Sequence, residues 1–218
     1  MNTNVNLEAP IGALLFLGTA FILFVTTVVL LQSLIVRKPG RARAVLGVIA
    51  VVIAAYVGAM LIFSALGRDQ LLARGQEKHF CELDCHLAYS IVSASQQKTI
   101  GEGVNQIQAQ GQFSILTIKT RFDETTIGPR RGNGLLYPNG RAFVLVDERG
   151  NRYSPVAQMG TPVTTPLRPS ESYTTEVVFD LPADAKPSVL ILNENAWETH
   201  LLIGHENSWL HGQTKFKI

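Results

Sequence analysis

The sequence predicts an α-helical transmembrane hairpin of two spans followed by an all-β antiparallel sandwich, and three observations carry that prediction. Charge is unevenly spread: of 19 Lys and Arg and 17 Asp and Glu in 218 residues, only five (Glu8, Arg37, Lys38, Arg41, Arg43) fall within residues 1–66. Two uncharged runs of 26 and 24 residues fill most of that first third. Beyond residue 78 the apolar pattern takes a period of two, the mark of half-buried strands. A charged content of 17%, against about 25% in soluble proteins, excludes a simple soluble enzyme. The 46% hydrophobic content excludes intrinsic disorder, and a net charge of +2 with no long basic stripe excludes a nucleic-acid binder.

Residues 1–10 form a short N-terminus containing Glu8 and no Lys or Arg. Residues 11–36 are the first span, about 39 Å long as a helix against a hydrocarbon core of about 30 Å. Residues 37–43 are a basic loop in which Pro39-Gly40 breaks the helix and four cationic side chains resist translocation. Residues 44–67 are the second span. The positive-inside rule places the loop in the cytoplasm and both termini outside. A cleavable signal peptide is disfavoured, because the basic n-region is missing and the apolar stretch is too long. In the second span Ala50, Ala54 and Gly58 recur every four residues. Such a small-residue ridge packs either the protein's own hairpin or a partner helix.

Residues 68–78 read as a stalk or short helical continuation, and residues 79–218 as one exported domain. Its clearest strand is 173–181, with Tyr173, Thr175, Val177, Phe179 and Leu181 on one face and Thr174, Glu176 and Asp180 on the other. Further strands are expected at 87–94, 113–122, 141–146, 152–156 and 188–192, each rich in β-branched or aromatic residues and bounded by turn formers. Asn139-Gly140 and the turn at 147–151 tolerate positive φ, so residues 135–156 are expected to fold as successive hairpins. Around seven short strands without an intervening amphipathic helix point to a sandwich of immunoglobulin-like type.

The run 143–155 (Phe-Val-Leu-Val-Asp-Glu-Arg-Gly-Asn-Arg-Tyr-Ser-Pro), then Leu167-Arg168-Pro169-Ser170-Glu171-Ser172 and the strand Val177-Val178-Phe179-Asp180-Leu181-Pro182, carry a resemblance. Over roughly residues 86–195 the chain resembles the immunoglobulin-like domains of unknown function in bacterial exported proteins and lipoproteins. The shared pattern is an Asp-x-x-Gly-x-x-Tyr hairpin, a Ser-Glu-Ser turn and a Val-x-Phe-x-Leu-Pro strand. The resemblance implies a bacterial extracytoplasmic sandwich used in binding or scaffolding, and it carries over no catalytic residues. Here a two-span anchor stands where that family has a lipobox or signal peptide. The implied location is the bacterial inner membrane, with the N-terminus and the C-terminal domain on the periplasmic side.

The two cysteines lie in His79-Phe80-Cys81-Glu82-Leu83-Asp84-Cys85-His86. In an oxidising compartment their expected state is a Cys81–Cys85 disulfide, which needs a turn because residues four apart on an extended strand are too distant. The alternative is a metal centre of Cys81, Cys85, His79 and His86, for which soft thiolates select copper. The Cys-x-x-x-Cys spacing resembles that of the dinuclear copper domain of cytochrome oxidase and of its copper chaperones. Cys85 runs directly into His86, however, and the chain lacks the αβ alternation of the chaperones. A lengthened Cys-x-x-Cys-His haem attachment site is a weaker third reading. If the tail folded back beside the first strand, its histidines would meet this segment.

That tail holds Trp197, His200, His205, Trp209 and His211, including both tryptophans of the chain. Residues with an apolar body and a polar tip mark either an interaction surface or a membrane-interface belt. The alternative is that they close the bottom of the sandwich. Arg130-Arg131 reads as a solvated loop pair or a lipid-headgroup contact. The function these features imply is non-catalytic: a membrane-anchored interaction or scaffold protein with membrane-protein partners and the lipid bilayer, without a cofactor. An accessory or assembly subunit of a respiratory or photosynthetic complex fits that description. The competing function is copper handling or redox chemistry at Cys81, Cys85 and His86.

Overall fold

The first apolar run forms α1 (Ala9–Ile35) and the second forms α2 (Pro39–Leu66), which also takes in residues 39–43, expected as loop, because proline is tolerated in a helix's first turn. The computed structural model describes residues 3–4, 9–80, 86–126 and 131–218. Hydroxyls inside the helices bond to their own backbone, Thr26 Oγ1 to the Ile22 carbonyl at 2.8 Å and Ser33 Oγ to that of Val29 at 2.7 Å. Arg37, at φ 52°, turns the chain out of α1, and Pro39 opens α2, where a missing N–H costs nothing. Both helices are long and apolar enough to cross a membrane. The helices face each other through Phe16 and Tyr56, whose ring centroids are 6.4 Å apart, and the buried or half-buried positions on that side include Thr19, Leu23, Thr26 and Ser33 on α1, and Ala42, Val45, Ile49, Val52, Met60 and Ser64 on α2. Steps of three and four residues, and one of seven, keep these positions on one face of each helix. Ala50 and Ala54 lie off this face and are exposed, and Gly58 is half-buried with open space where a Cβ would stand.

The chain divides into two compact units: Glu8–Arg68 with Trp197–Gly212, and Asp69–Ala196 with Gln213–Ile218 and the N-terminal residues. The second unit is a β-sandwich. Its strands are β1 (Thr3–Asn4), β2 (Gln70–Leu72), β3 (Lys78–Phe80), β4 (Leu87–Ile100), β5 (Ile107–Phe122), β6 (Arg141–Asp147), β7 (Arg152–Tyr153), β8 (Ala157–Gly160), β9 (Ser172–Leu181), β10 (Pro187–Glu194) and β11 (Thr214–Lys217). One sheet has the order β1-β3-β4-β5-β9-β8 and the other β2-β11-β10-β6-β7. Apolar residues of alternate positions form the core between the sheets, with Tyr89, Leu116, Phe122 and Phe179 from the first and Leu145, Leu190 and Phe216 from the second.

The Asp-x-x-Gly-x-x-Tyr run is a turn lock. Asp147 accepts hydrogen bonds from the backbone N–H of Arg149 (2.9 Å) and Asn151 (2.8 Å), from Asn151 Nδ2 (2.9 Å) and from the Tyr153 hydroxyl (2.9 Å), while Gly150 supplies φ 86°. Burial of Asp147 works against its ionisation, but the Asn151 and Tyr153 hydrogen bonds hold its carboxyl below the usual range.

Several expectations need correction. The expected helical stalk at 68–78 contains β2 instead, because Gln70–Leu72 finds a parallel partner in β11. The tail does not run beside β4: its last strand inserts between β2 and β10, in the opposite sheet. The expected strand at 152–156 stops at Tyr153, and Leu136 forms only an isolated bridge with Leu167 rather than starting a hairpin. The aromatics and histidines of residues 197–212 group with the helices, not with the bottom of the sandwich.

Candidate functional site

On one end of the six-stranded sheet, backbone register collects a charged cluster. His79 of β3 lies opposite Ala88 of β4, and Ala88 lies opposite Arg121 of β5, so the three share a row and a face. Glu77 and Asp123 stand two residues away from His79 and Arg121, on the same face. Because only a methyl group separates the outer two strands of the row, their long side chains meet across β4. Arg121 grips Glu77 through two parallel bonds, Nε to Oε1 and Nη2 to Oε2, both 2.8 Å, and its Nη2 lies 3.3 Å from Asp123 Oδ2. His79 Nε2 is 2.9 Å from that same Oδ2. Asp123 Oδ1 accepts from the Thr125 N–H at 3.1 Å and the Thr125 hydroxyl at 2.7 Å.

The electrostatics follow from these bonds. Burial opposes ionisation of Asp123, yet the Thr125 and His79 hydrogen bonds and the Arg121 charge hold its carboxyl well below the usual carboxylate range. The Arg121 hydrogen bond likewise depresses Glu77, and Glu77 in turn raises the Arg121 guanidinium. Ligand atoms of Glu77, His79 and Asp123 lie within 4.8 Å of one another, close enough for a cation. The guanidinium already supplies the positive charge there, so the carboxylates fasten β3 to β5 rather than leaving an open ligand set.

Of the residues singled out in the sequence, His79 and His86 converge on one turn. His86 Nδ1 lies 2.5 Å from Thr126 Oγ1, its ring stacks on Phe122 at 5.1 Å, and its carbonyl accepts the Asp123 N–H at 2.7 Å. His79 Nδ1 is buried and has no hydrogen-bond partner among the described residues. Cys81 and Cys85, and with them the disulfide and the thiolate half of the metal centre, lie outside the described residues, as does Arg130. Arg131 lies against Phe122, 5.5 Å from its centroid, and donates to the Gly134 carbonyl at 3.2 Å. Trp197 and Trp209 are exposed, His205 is buried, and His200 Nδ1 is 3.0 Å from the Trp197 carbonyl.

Sequence reasoning missed Glu77, Arg121 and Asp123. Two period-two pairs, Glu77-x-His79 and Arg121-x-Asp123, were the available signal, hidden because residues 68–78 read as a stalk. It also missed Lys78. This residue is fully buried, and its ammonium donates to the carbonyls of Leu192 (2.5 Å) and Thr214 (3.1 Å). Lys78 therefore ties β3 to β10 and β11 of the other sheet. The Lys78 ammonium and the Arg141 guanidinium both lie over the Phe80 ring, at 4.7 and 4.2 Å.

No protein-family model and no curated protein matches the sequence. Among solved structures, the chain is similar to the secreted protein MPT63 of Mycobacterium tuberculosis, at 13% identity and TM-score 0.42 over 69% of this chain and 98% of that one. It is also similar to an uncharacterised β-sandwich protein of Clostridium difficile, at 10% identity and TM-score 0.42 over 70% of this chain and 95% of that one.

Proposed function

We propose that this chain is a non-catalytic, membrane-anchored interaction protein, with α1 and α2 crossing the bacterial inner membrane and an immunoglobulin-like sandwich on the periplasmic side. Its role is that of an accessory or assembly subunit of a larger membrane complex, respiratory or photosynthetic. One observation carries the reading: in the ridge Ala50-Ala54-Gly58 the two alanines are exposed, and the half-buried Gly58 has open space where a Cβ would stand. Small side chains at that spacing let a second helix approach closely. A photo-crosslinking residue at Ala54, activated in native membranes, is expected to give one adduct of defined mass, whereas the same probe at Leu61 is expected to label lipid alone. A chain that stays uncrosslinked from Ala54 and leaves mild detergent as a lone monomer contradicts this function.

The second reading, soft-metal handling with copper at Cys81, Cys85, His79 and His86, is favoured by the His79 ring. Its Nε2 faces the Asp123 carboxylate while Nδ1 has no partner among the described residues, and metal-binding histidines are commonly held by a carboxylate in this way. Metal analysis of the purified chain, reduced and copper-replete, decides: stoichiometric copper favours it. An intact mass two hydrogens below the free-thiol value without metal favours a structural disulfide and sinks it.

A further inference from the structure

Residues 205–210 carry their polarity inside out. His205, Glu206, Asn207 and Ser208 are buried beside Ile203, while Trp209 (56% exposed) and Leu210 (83%) face outward, as does Trp197 (69%) next to the exposed Glu198 and His200. Three of these residues bond within the segment: Asn207 Nδ2 donates to Thr199 Oγ1 at 2.9 Å, the Asn207 N–H to His205 Nδ1 at 3.0 Å, and the Ser208 hydroxyl to the Leu202 carbonyl. Turn bonds absorb much of the backbone, among them Ser208 N–H to His205 at 2.9 Å and His211 N–H to Ser208 at 3.1 Å. In water this arrangement wastes its polar groups and exposes its apolar ones. In lipid it is the arrangement required, because backbone and polar side chains must be satisfied internally. Leu210 even adopts φ 66°, a conformation that a leucine rarely takes, at the most exposed apolar position of the segment.

The segment lies along the helices below their ends. The Tyr56 hydroxyl donates to the Leu201 carbonyl at 2.7 Å, and Gly12 makes room for the Ile203 carbonyl where any Cβ would collide. Leu201 joins Phe16, Leu23, Ile53 and Val57 around an apolar cavity of about 220 Å³. Tyr56 lies ten residues before the end of α2, or about 15 Å along the axis. A helix of 28 residues is about 42 Å long, so with a centred hydrocarbon core of about 30 Å, Tyr56 lies roughly 9 Å inside it. We propose that residues 197–212 are a membrane-embedded loop whose partner is the lipid of the leaflet at which α1 begins and α2 ends, with Trp197 and Trp209 at its interface. This rests on α1 and α2 spanning the bilayer.

The chain has only these two tryptophans, so its indole emission reports on the loop alone. The test uses the full chain in vesicles of phosphatidylcholine and phosphatidylglycerol, with plain or brominated acyl chains, and scores insertion separately by flotation and resistance to carbonate extraction. The expected result is an inserted chain with blue-shifted emission that bromine quenches, in the wild type and in the variants W197F and W209F alike. An inserted chain whose emission stays at the water-exposed wavelength and escapes quenching, in the wild type or in either variant, overturns the embedded loop and leaves the two spans standing. A chain that carbonate extracts overturns the spans and the loop together.

Discussion

Replacing Asp123 by alanine tests whether the charged cluster holds the sheet together. The substitution leaves the buried His79 Nε2 facing nothing, removes the acceptor for both Thr125 donors and deprives Arg121 of one of its three carboxylates, leaving Glu77 and the more exposed Glu124. A buried group left unsatisfied costs about 1–3 kcal/mol and each ordinary hydrogen bond about 1 kcal/mol. The total, about 3–5 kcal/mol, matches that for breaking a buried ion pair from one side. For a domain of this size that is a fall in melting temperature of roughly 10 °C, to be read from the β-sheet circular dichroism of the full chain in detergent. Asp123→Asn, which keeps a neutral acceptor for Thr125, should fall less. Because the folded-state pKa of Asp123 is depressed, its contribution is fully present above the unfolded value, about 4, and is lost as pH falls from there through the folded value. Asp123→Asn should therefore flatten the loss of stability below about pH 4. An unchanged melting temperature in Asp123→Ala, or a large fall on adding chelator to the wild type, would refute this assignment.

Lys78→Met keeps the alkyl stem and removes both carbonyl bonds between the sheets; it should lower stability by about 2 kcal/mol, seen as a lower urea midpoint at unchanged slope. Gly111→Ala puts a Cβ into the Leu181 carbonyl on β9 and should cost about 1–3 kcal/mol in the same assay. Arg149→Ala breaks an ion pair to Asp184 that is well exposed on both sides, and the midpoint should not move. Gly12→Leu fills the space that the Ile203 carbonyl occupies and should shift tryptophan emission to the red while the sandwich melts as before.

What the sequence made legible was what repeats. Charge-free runs of membrane length and the period-two pattern of β9 each report burial on a simple period, so the helices and the central strands β4, β5, β6, β9 and β10 were recognisable. Short edge strands were not: Gln70–Leu72 has no alternation to read and exists because β11 pairs with it. The Glu77–Arg121–Asp123–His79 network was hidden for a related reason, since its partners lie 44 residues apart in the chain and meet only through register across Ala88. The tail was ambiguous because tryptophan and histidine suit a sandwich base and a membrane interface equally well. The backbone carbonyls presented to Gly12 and Tyr56, which no sequence pattern encodes, join it to the helices.

The central claim is a two-span anchor carrying the sandwich on the far side of the membrane from its basic loop, and reporter fusions in a bacterial host test it most directly. Alkaline phosphatase, active only after export, should be active when fused behind Ile218 and inactive when fused behind Arg43. The reverse pattern, or activity at both positions, would contradict it.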